Sequence, residues 1–267
     1  MKKTGARLVV KDVALSFGGI EALRFVSFEA APSELIALVG PNGAGKTAML
    51  NCINGIYRPR SGEILLDGEG IAGHPLWRMV DLGVGRSFQH AELFPHLTVM
   101  ENLLIGRHRS FRAGAFMSGL YFGRARAEEV EARRSIEAII DFFEIYRYRN
   151  TPVGMLSYGV QKSVGVARAL AASPKLLLLD EPSTGLIREE RENLARFLLR
   201  IVHDIGPTIV WVEHDMQMVS DLADRVVVLN HGSKIAEGPP RDVAALPEVV
   251  VAYLGQADPS QSPENAG

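Results

Sequence analysis

The segment GPNGAGKT, residues 40 to 47, fits G-x-x-x-x-G-K-[ST] and stands between an apolar run (LIALV) and an apolar-faced helical stretch. Glycines at these positions let successive backbone N–H groups turn inward at the positive end of a helix. Gly40, Pro41, Asn42, Gly43, Ala44, Gly45, Lys46 and Thr47, continued by Ala48, form the candidate nucleotide-binding segment. Lys46 would reach the β- and γ-phosphates, and the Thr47 hydroxyl would ligate Mg²⁺. The bare pattern arises by chance in roughly 1% of chains of this length, so a mere Gly-rich turn is the weaker reading.

A second set of groups suits the same chemistry. LLLLDEPSTG delivers Asp180 and Glu181 at the end of an apolar strand, where ligands of open α/β sheets collect. Asp180 would hold the Mg²⁺ shell, and Glu181 would orient and polarise an attacking water. Gln89, in RSFQH, can reach Mg²⁺ or that water. His214, in IVWVEHDM, can hydrogen-bond a γ-phosphate. Taken singly, Gln89 and His214 are more often ordinary side chains, and the phosphate loop gives them their weight. LSYGVQK, residues 156 to 162, reads either as a plain helix start or as a turn built to grip something.

These groups need a scaffold of strands and helices. Strands are expected at Leu8–Ser16, Leu35–Val39, Glu63–Leu66, Leu176–Leu179, Thr208–Val212 and Arg225–Leu229, separated early by Gly18-Gly19 and Asp67-Gly68. Helices are expected over Thr47–Asn54 with Gly55 as a C-cap, over Glu128–Phe143 with Val130, Ile136, Ile139, Ile140 and Phe143 inward, over Gln161–Ala171, near 188–203, and after His214. Strands alternating with helices imply a largely parallel sheet covered on both faces.

At 267 residues the chain can bury a sizeable core. Lys plus Arg total 29 against 31 for Asp plus Glu, so there is no global nucleic-acid footprint. The single cysteine, Cys52, rules out an internal disulfide and fits a reducing compartment. MKKTGARLVV lacks the apolar core of a secretory signal, because Lys11 and Asp12 follow only a short apolar run. No apolar stretch approaches a membrane span.

The ordered set GPNGAGKT, Gln89, LSYG, LLLLDEP and His214 resembles the ATP-binding subunits of ABC transporters, over about residues 6 to 255. Within that family the chain is most similar to the larger ATPase of branched-chain amino-acid importers. The segments FGGIEAL, NCINGIYRPRSGEILLDG, GVGRSFQHAELFPHLTVMENLLIG, EHDM and VVVAYLG, with the insert at about 107 to 127, carry that likeness. The resemblance implies an α/β P-loop NTPase (RecA-like) core with an antiparallel β subdomain and an inserted helical subdomain. The core would span about 6–88 and 163–255, the helical subdomain about 89–162, and 256–267 would be a disordered tail. It also implies ATP and Mg²⁺ as cofactors and a head-to-tail dimer with a second ATPase, a different chain. Ser157 and Gly159 would then grip nucleotide bound to the partner. Phe17 matches an adenine-stacking aromatic, a contact worth about 1–3 kcal/mol.

The further partners implied are two transmembrane permeases and, indirectly, an external substrate-binding protein, with the chain peripheral on the cytoplasmic face of the inner membrane. Phe94, Pro95, Leu97 and Met100 would contact a permease helix or pack in the helical subdomain's own core, and the arginines and aromatics of the 107–127 insert would rest on lipid headgroups or the permease, or form a solvated hairpin. Competing classes are a non-transport ABC ATPase acting on nucleic acid or ribosomes, and a weakly hydrolysing regulatory subunit. Val160, Ile187, Ala48 and Ser33 depart from the family's usual residues. Val160 and Ile187 are expected on elements that face the partner, where they either make two composite sites unequal or are neutral changes at tolerant positions.

Overall fold

The computed structural model describes residues 5–87, 93–107 and 124–254. The expected tail, Gln89 and most of the 107–127 insert lie outside the described residues.

An antiparallel sheet comes first. Strands β1 (Leu8–Phe17), β2 (Ile20–Ala30), β4 (Ser61–Leu66) and β5 (Glu69–Gly70) assemble in the order β2-β1-β4-β5. Its inner face follows period-two alternation on either side of a bulge at Lys11-Asp12, with Leu8 and Val10, then Val13 and Leu15, buried along β1.

The second sheet has the order β10-β9-β3-β8-β7-β6. Strand β3 (Leu35–Val39) is flanked by β8 (Thr208–Val212) and β9 (Arg225–Asn230), both parallel to it. Strand β7 (Leu176–Asp180) pairs in parallel with β8 and with β6 (Val84–Ser87), while β10 (Ser233–Gly238) closes one edge antiparallel to β9. Strands β3, β7 and β8 are buried along their whole length, on both faces of the sheet, which explains their apolar runs.

Successive residues of each strand feed opposite cores. Leu35, Ala37, Val39, Leu177, Leu179, Ile209 and Trp211 face one cluster, packed beneath the helices. Ile36, Leu38, Leu176, Leu178, Val210 and Val212 face the other, shared with helix α1 (Lys46–Ile53) and the antiparallel sheet.

The remaining helices are α2 (Leu76–Asp81), α3 (Val99–Gly106), α4 (Arg124–Phe142), α5 (Tyr158–Ala171), α6 (Arg188–Arg200), α7 (Met216–Leu222), α8 (Pro240–Ala244) and α9 (Pro247–Leu254). Helix α6 runs on as a π turn over Ile201–Ile205 and stops at Gly206, which is left-handed at φ +73°. Among the described residues, no helix is long and apolar enough to cross a membrane.

Some boundaries differ from those expected. Helix α5 starts at Tyr158 instead of Gln161, because Ser157 caps it by accepting the Val160 N–H at 3.5 Å. Helix α5 therefore runs without a break across residues 162 and 163. Val130 is half exposed, and the inward row of α4 is Ala132, Ile136 and Ile140, spaced by one turn and continued by Phe143. Ser33 occupies a left-handed turn at φ +64°, a place that suits glycine. Its N–H donates to Thr208 Oγ1 at 3.0 Å and its hydroxyl donates to the Gly206 carbonyl at 2.6 Å.

Candidate functional site

The parallel strands end at one edge, and the loops leaving β3, β7 and β8 converge there. Gly45 enters α1 at φ +102°, where a β-carbon would stand 2.6 Å from the Ala22 carbonyl. Only glycine meets both demands. The first-turn N–H groups of α1, among them those of Lys46, Thr47 and Ala48, have no partner within the helix and point out of its start. Lys46 is 5% exposed and donates to the carbonyls of Gly40 (2.7 Å) and Pro41 (2.9 Å). Burial lowers its pKa from 10.5, partly offset by the charges of Glu181 and Asp180. The loop thus holds a buried cation beside free backbone donors, which is a receptor for polyphosphate.

Thr47 Oγ1 donates to Asp180 Oδ1 at 3.4 Å. Adjacent oxygen ligands of an octahedral Mg²⁺ stand about 2.9 Å apart, so this hard-oxygen pair fits the ion with a small closure. Asp180 is 3% exposed, and its other oxygen accepts from Arg86 Nη2 at 2.8 Å. Arg86 carried no signal in the sequence, although its neighbours did.

Glu181 follows immediately, at a left-handed φ of +46° and anchored by its N–H to the Val212 carbonyl at 2.9 Å. That kink swings its carboxylate away from the strand, where Oε1 meets His214 Nε2 at 2.7 Å and Oε2 accepts from Thr184 Oγ1 at 3.3 Å. His214 is placed by its buried neighbour Glu213, whose Oε1 accepts the N–H groups of His214 (2.8 Å) and Asp215 (3.2 Å). Asp215 in turn caps α7 and accepts from Arg191 Nη1 at 3.0 Å.

The structure brings together the 40–48 loop, Asp180, Glu181 and His214. Tyr158 and Gly159 engage another segment of the chain, whereas Ser157 is exposed and its hydroxyl accepts the local Val160 N–H. A β-carbon on Gly185 would lie 2.9 Å from Tyr158 Cε1, and one on Gly159 would lie 2.2 Å from the Glu190 carboxylate. Glu190 also accepts the Ile187 N–H at 3.2 Å, an end left uncapped because Ile187 has no acceptor. Ile187 is exposed, and Val160 is partly buried against the chain's own core. Phe17 ends β1 half exposed, its ring meeting Tyr57 edge-on at 5.0 Å.

Sequence reading also missed Asn102 and Tyr253. Asn102 is fully buried in α3 and ties Phe94 N–H and the carbonyls of Phe94, Leu97 and Thr98 into one turn at 2.9 to 3.1 Å. That turn presents Phe94 and Pro95 outward, while Met100 packs inward. Tyr253 donates to Met216 Sδ at 3.7 Å; burial raises its pKa, and a hydrogen bond from the Gly40 backbone opposes the rise.

A glycine-lined cationic loop, an oxygen pair suited to Mg²⁺ and a carboxylate–imidazole pair, on a parallel sheet, define a nucleoside-triphosphate-hydrolysing P-loop protein. Residues 23–184 match the family model described as ABC transporter, and the chain belongs to that family; it is an ABC ATPase. Among curated relatives it is 36% identical to the high-affinity branched-chain amino acid transport ATP-binding protein LivG of Escherichia coli K12, over 94% of this chain and 98% of that one. Identity to BraF of Pseudomonas aeruginosa, of the same description, is 36% with the same coverage. The sulfate/thiosulfate import ATP-binding protein CysA of Pseudomonas syringae is 34% identical, over 93% of this chain and 73% of that protein. A solved ATP-binding cassette of an ABC transporter in its ADP conformation superposes with a TM-score of 0.82 at 28% identity, covering 94% of this chain and 99% of that one. A dimeric cassette in a post-hydrolysis state, bound to ADP and phosphate, gives 0.73 at 26% identity, covering 88% and 99%.

Proposed function

We propose that the chain is the ATP-hydrolysing motor of an importer for branched-chain or related amino acids. The observation that carries the mechanism is the Glu181–His214 pair at 2.7 Å, beside the phosphate loop and Asp180. Glu181 accepts a proton from, and orients, the attacking water, a role that contributes about 10²–10⁴ in rate. His214 holds Glu181 in place and hydrogen-bonds the γ-phosphate. Lys46 exchanges its two loop carbonyls for β- and γ-phosphate oxygens, a trade of neutral acceptors for charged ones. Thr47 and Asp180, with Gln89, would hold Mg²⁺, which supplies charge neutralisation across the β- and γ-oxygens. Phe17 stacks on adenine.

Ser157 and Gly159 serve nucleotide held by a second ATPase subunit of different sequence. The whole chain from 6 to 255 forms the ATPase unit, with the segment 89–162 as its helical lobe. The permease pair docks at the Phe94–Pro95 turn, whose two side chains are exposed. The assembly places the chain on the cytoplasmic face of the membrane, fed by an external binding protein. With Ile187 exposed and Val160 turned inward, the composite site that uses this chain's Ser157 turn is the weaker of two.

The test is reconstitution with the permeases, partner ATPase and binding protein in liposomes. ATP-driven uptake of leucine that Glu181→Gln abolishes, with ATP binding retained, supports the proposal. ATP hydrolysis indifferent to Glu181→Gln, or uptake of no amino acid, overturns it.

A further inference from the structure

The two oxygens of Asp180 have different partners. Oδ1 faces Thr47 Oγ1 at 3.4 Å, whereas Oδ2 is occupied by Arg86 Nη2 at 2.8 Å. The second arm of the same guanidinium donates to Asn51 Oδ1 at 2.6 Å, on α1. Both members of the ion pair are buried, with side chains 6% and 3% exposed.

Sheet geometry explains the reach. Arg86 on β6 registers with Leu178 on β7, and Leu178 faces the core shared with α1. Asp180 lies two residues further along the same face. Arg86 therefore spans the space between neighbouring strands and the phosphate-loop helix, filling it with a planar fork that a lysine cannot reproduce.

We propose that Arg86 is a positioning residue that restricts Asp180 to ligating Mg²⁺ through one oxygen. The proposal rests on the Thr47–Asp180 metal reading given above. Mg²⁺ demands near-ideal octahedral geometry, while Ca²⁺ accepts carboxylates through one oxygen or both. By holding Oδ2, Arg86 leaves only Oδ1 for the ion and denies Ca²⁺ the two-oxygen mode. Asn51 fixes the fork so that this assignment does not drift. Partners of this kind, one layer behind a metal ligand, typically change metal affinity 10–100-fold when removed.

The experiment measures binding of a fluorescent ATP analogue to the full chain in EDTA, in Mg²⁺ and in Ca²⁺, for wild type, Arg86→Lys and Arg86→Met. Arg86→Met leaves a buried carboxylate unpaired and tests stability as well as ligation. Arg86→Lys keeps a compensating cation but loses the bridge to Asn51. Circular dichroism confirms that each variant folds. The expected result for Arg86→Lys is nucleotide affinity in EDTA near the wild-type value and Mg²⁺-dependent strengthening reduced about 10-fold. Strengthening by Ca²⁺ is undiminished, so the preference between the ions collapses. A folded Arg86→Lys protein that keeps both the full Mg²⁺ effect and the wild-type preference overturns the role of Arg86. Absence of Mg²⁺ strengthening in wild type overturns the metal reading itself, and the two failures are thereby told apart.

Discussion

Glu181 is held in a conformation that most residues avoid. A non-glycine residue in the left-handed region costs about 1–2 kcal/mol, and here the bond from its N–H to the Val212 carbonyl keeps it there. The return on that strain is a carboxylate aimed at His214 and away from the strand. Glu181→Gln keeps the shape and removes the base, so kcat is expected to fall about 10²–10⁴-fold with little change in ATP affinity, measured by steady-state hydrolysis and nucleotide binding. Glu213 acts one residue away, through the backbone. Glu213→Ala strands two N–H groups and frees His214, with an expected stability loss of about 1–3 kcal/mol and reduced kcat, whereas Glu213→Gln retains an acceptor oxygen and most of both. Equal damage from the two substitutions in denaturation and turnover assays would refute that account. Lys46 and Thr47 were legible because they end a glycine-bordered motif, and Asp180 and Glu181 because they end an apolar run; His214 drew its weight from that company, and the fold sets it against Glu181. Arg86, Glu213 and Asn102 were not legible, because each acquires meaning only from partners that the fold brings near.

The elements show the same division. Strand β3 could be read from an apolar run and falls where expected, and α1, read from the glycine loop, begins one residue earlier than expected, at Lys46. The start of α5 could not, since Ser157 and Gln161 both satisfy local rules and only the cap bond decides. Periodicity misassigned Val130, because a helix packed along one narrow row leaves the neighbouring position in solvent. Within the 94–106 segment, Asn102 replaces several backbone partners at once. Asn102→Leu has nearly the same size yet supplies none of these bonds, and is expected to lower stability by about 1–3 kcal/mol and to loosen the Phe94–Pro95 turn. Faster amide exchange at Phe94 with an unchanged rate in β7 would bear this out; uniform exchange across the chain would not. Gly159→Ala forces a methyl into the Glu190 carboxylate, and should impair the site served by the Ser157 turn while leaving this chain's own nucleotide affinity intact.

For the whole molecule, ligand and proton linkage give two measurable consequences. ATP with Mg²⁺ at 100 times Kd should stabilise the fold by about 2.7 kcal/mol. At about 2–4 °C per kcal/mol for a protein of this size, Tm should rise by about 5–11 °C, and Asp180→Asn should remove most of the Mg²⁺-dependent part. Acid weakens the ion pair that joins Glu144, just after α4, to helix α6. The Arg196 guanidinium, donating to both oxygens of Glu144 at 2.9 and 2.8 Å, holds the pKa of Glu144 below 4.5, with Arg200 nearby. A carboxylate depressed in the folded state stabilises above its unfolded pKa, and that contribution is lost as pH falls through the folded value. The pair is about half exposed, so the effect is small; Arg196→Ala should flatten the stability profile as pH falls below the ordinary carboxylate value of 4.5, read from denaturant midpoints.

The neighbours of β3 also impose an order on synthesis. The strand that launches the phosphate loop spans residues 35 to 39, yet both of its partners come from beyond residue 207. A nascent polypeptide leaving the ribosome at about 5–20 residues per second must therefore wait on the order of ten seconds or more before that strand can be flanked on both sides. During that interval its bare apolar edges are open to chaperones, and a chain released before β9 emerges should be recovered as insoluble protein that binds no nucleotide.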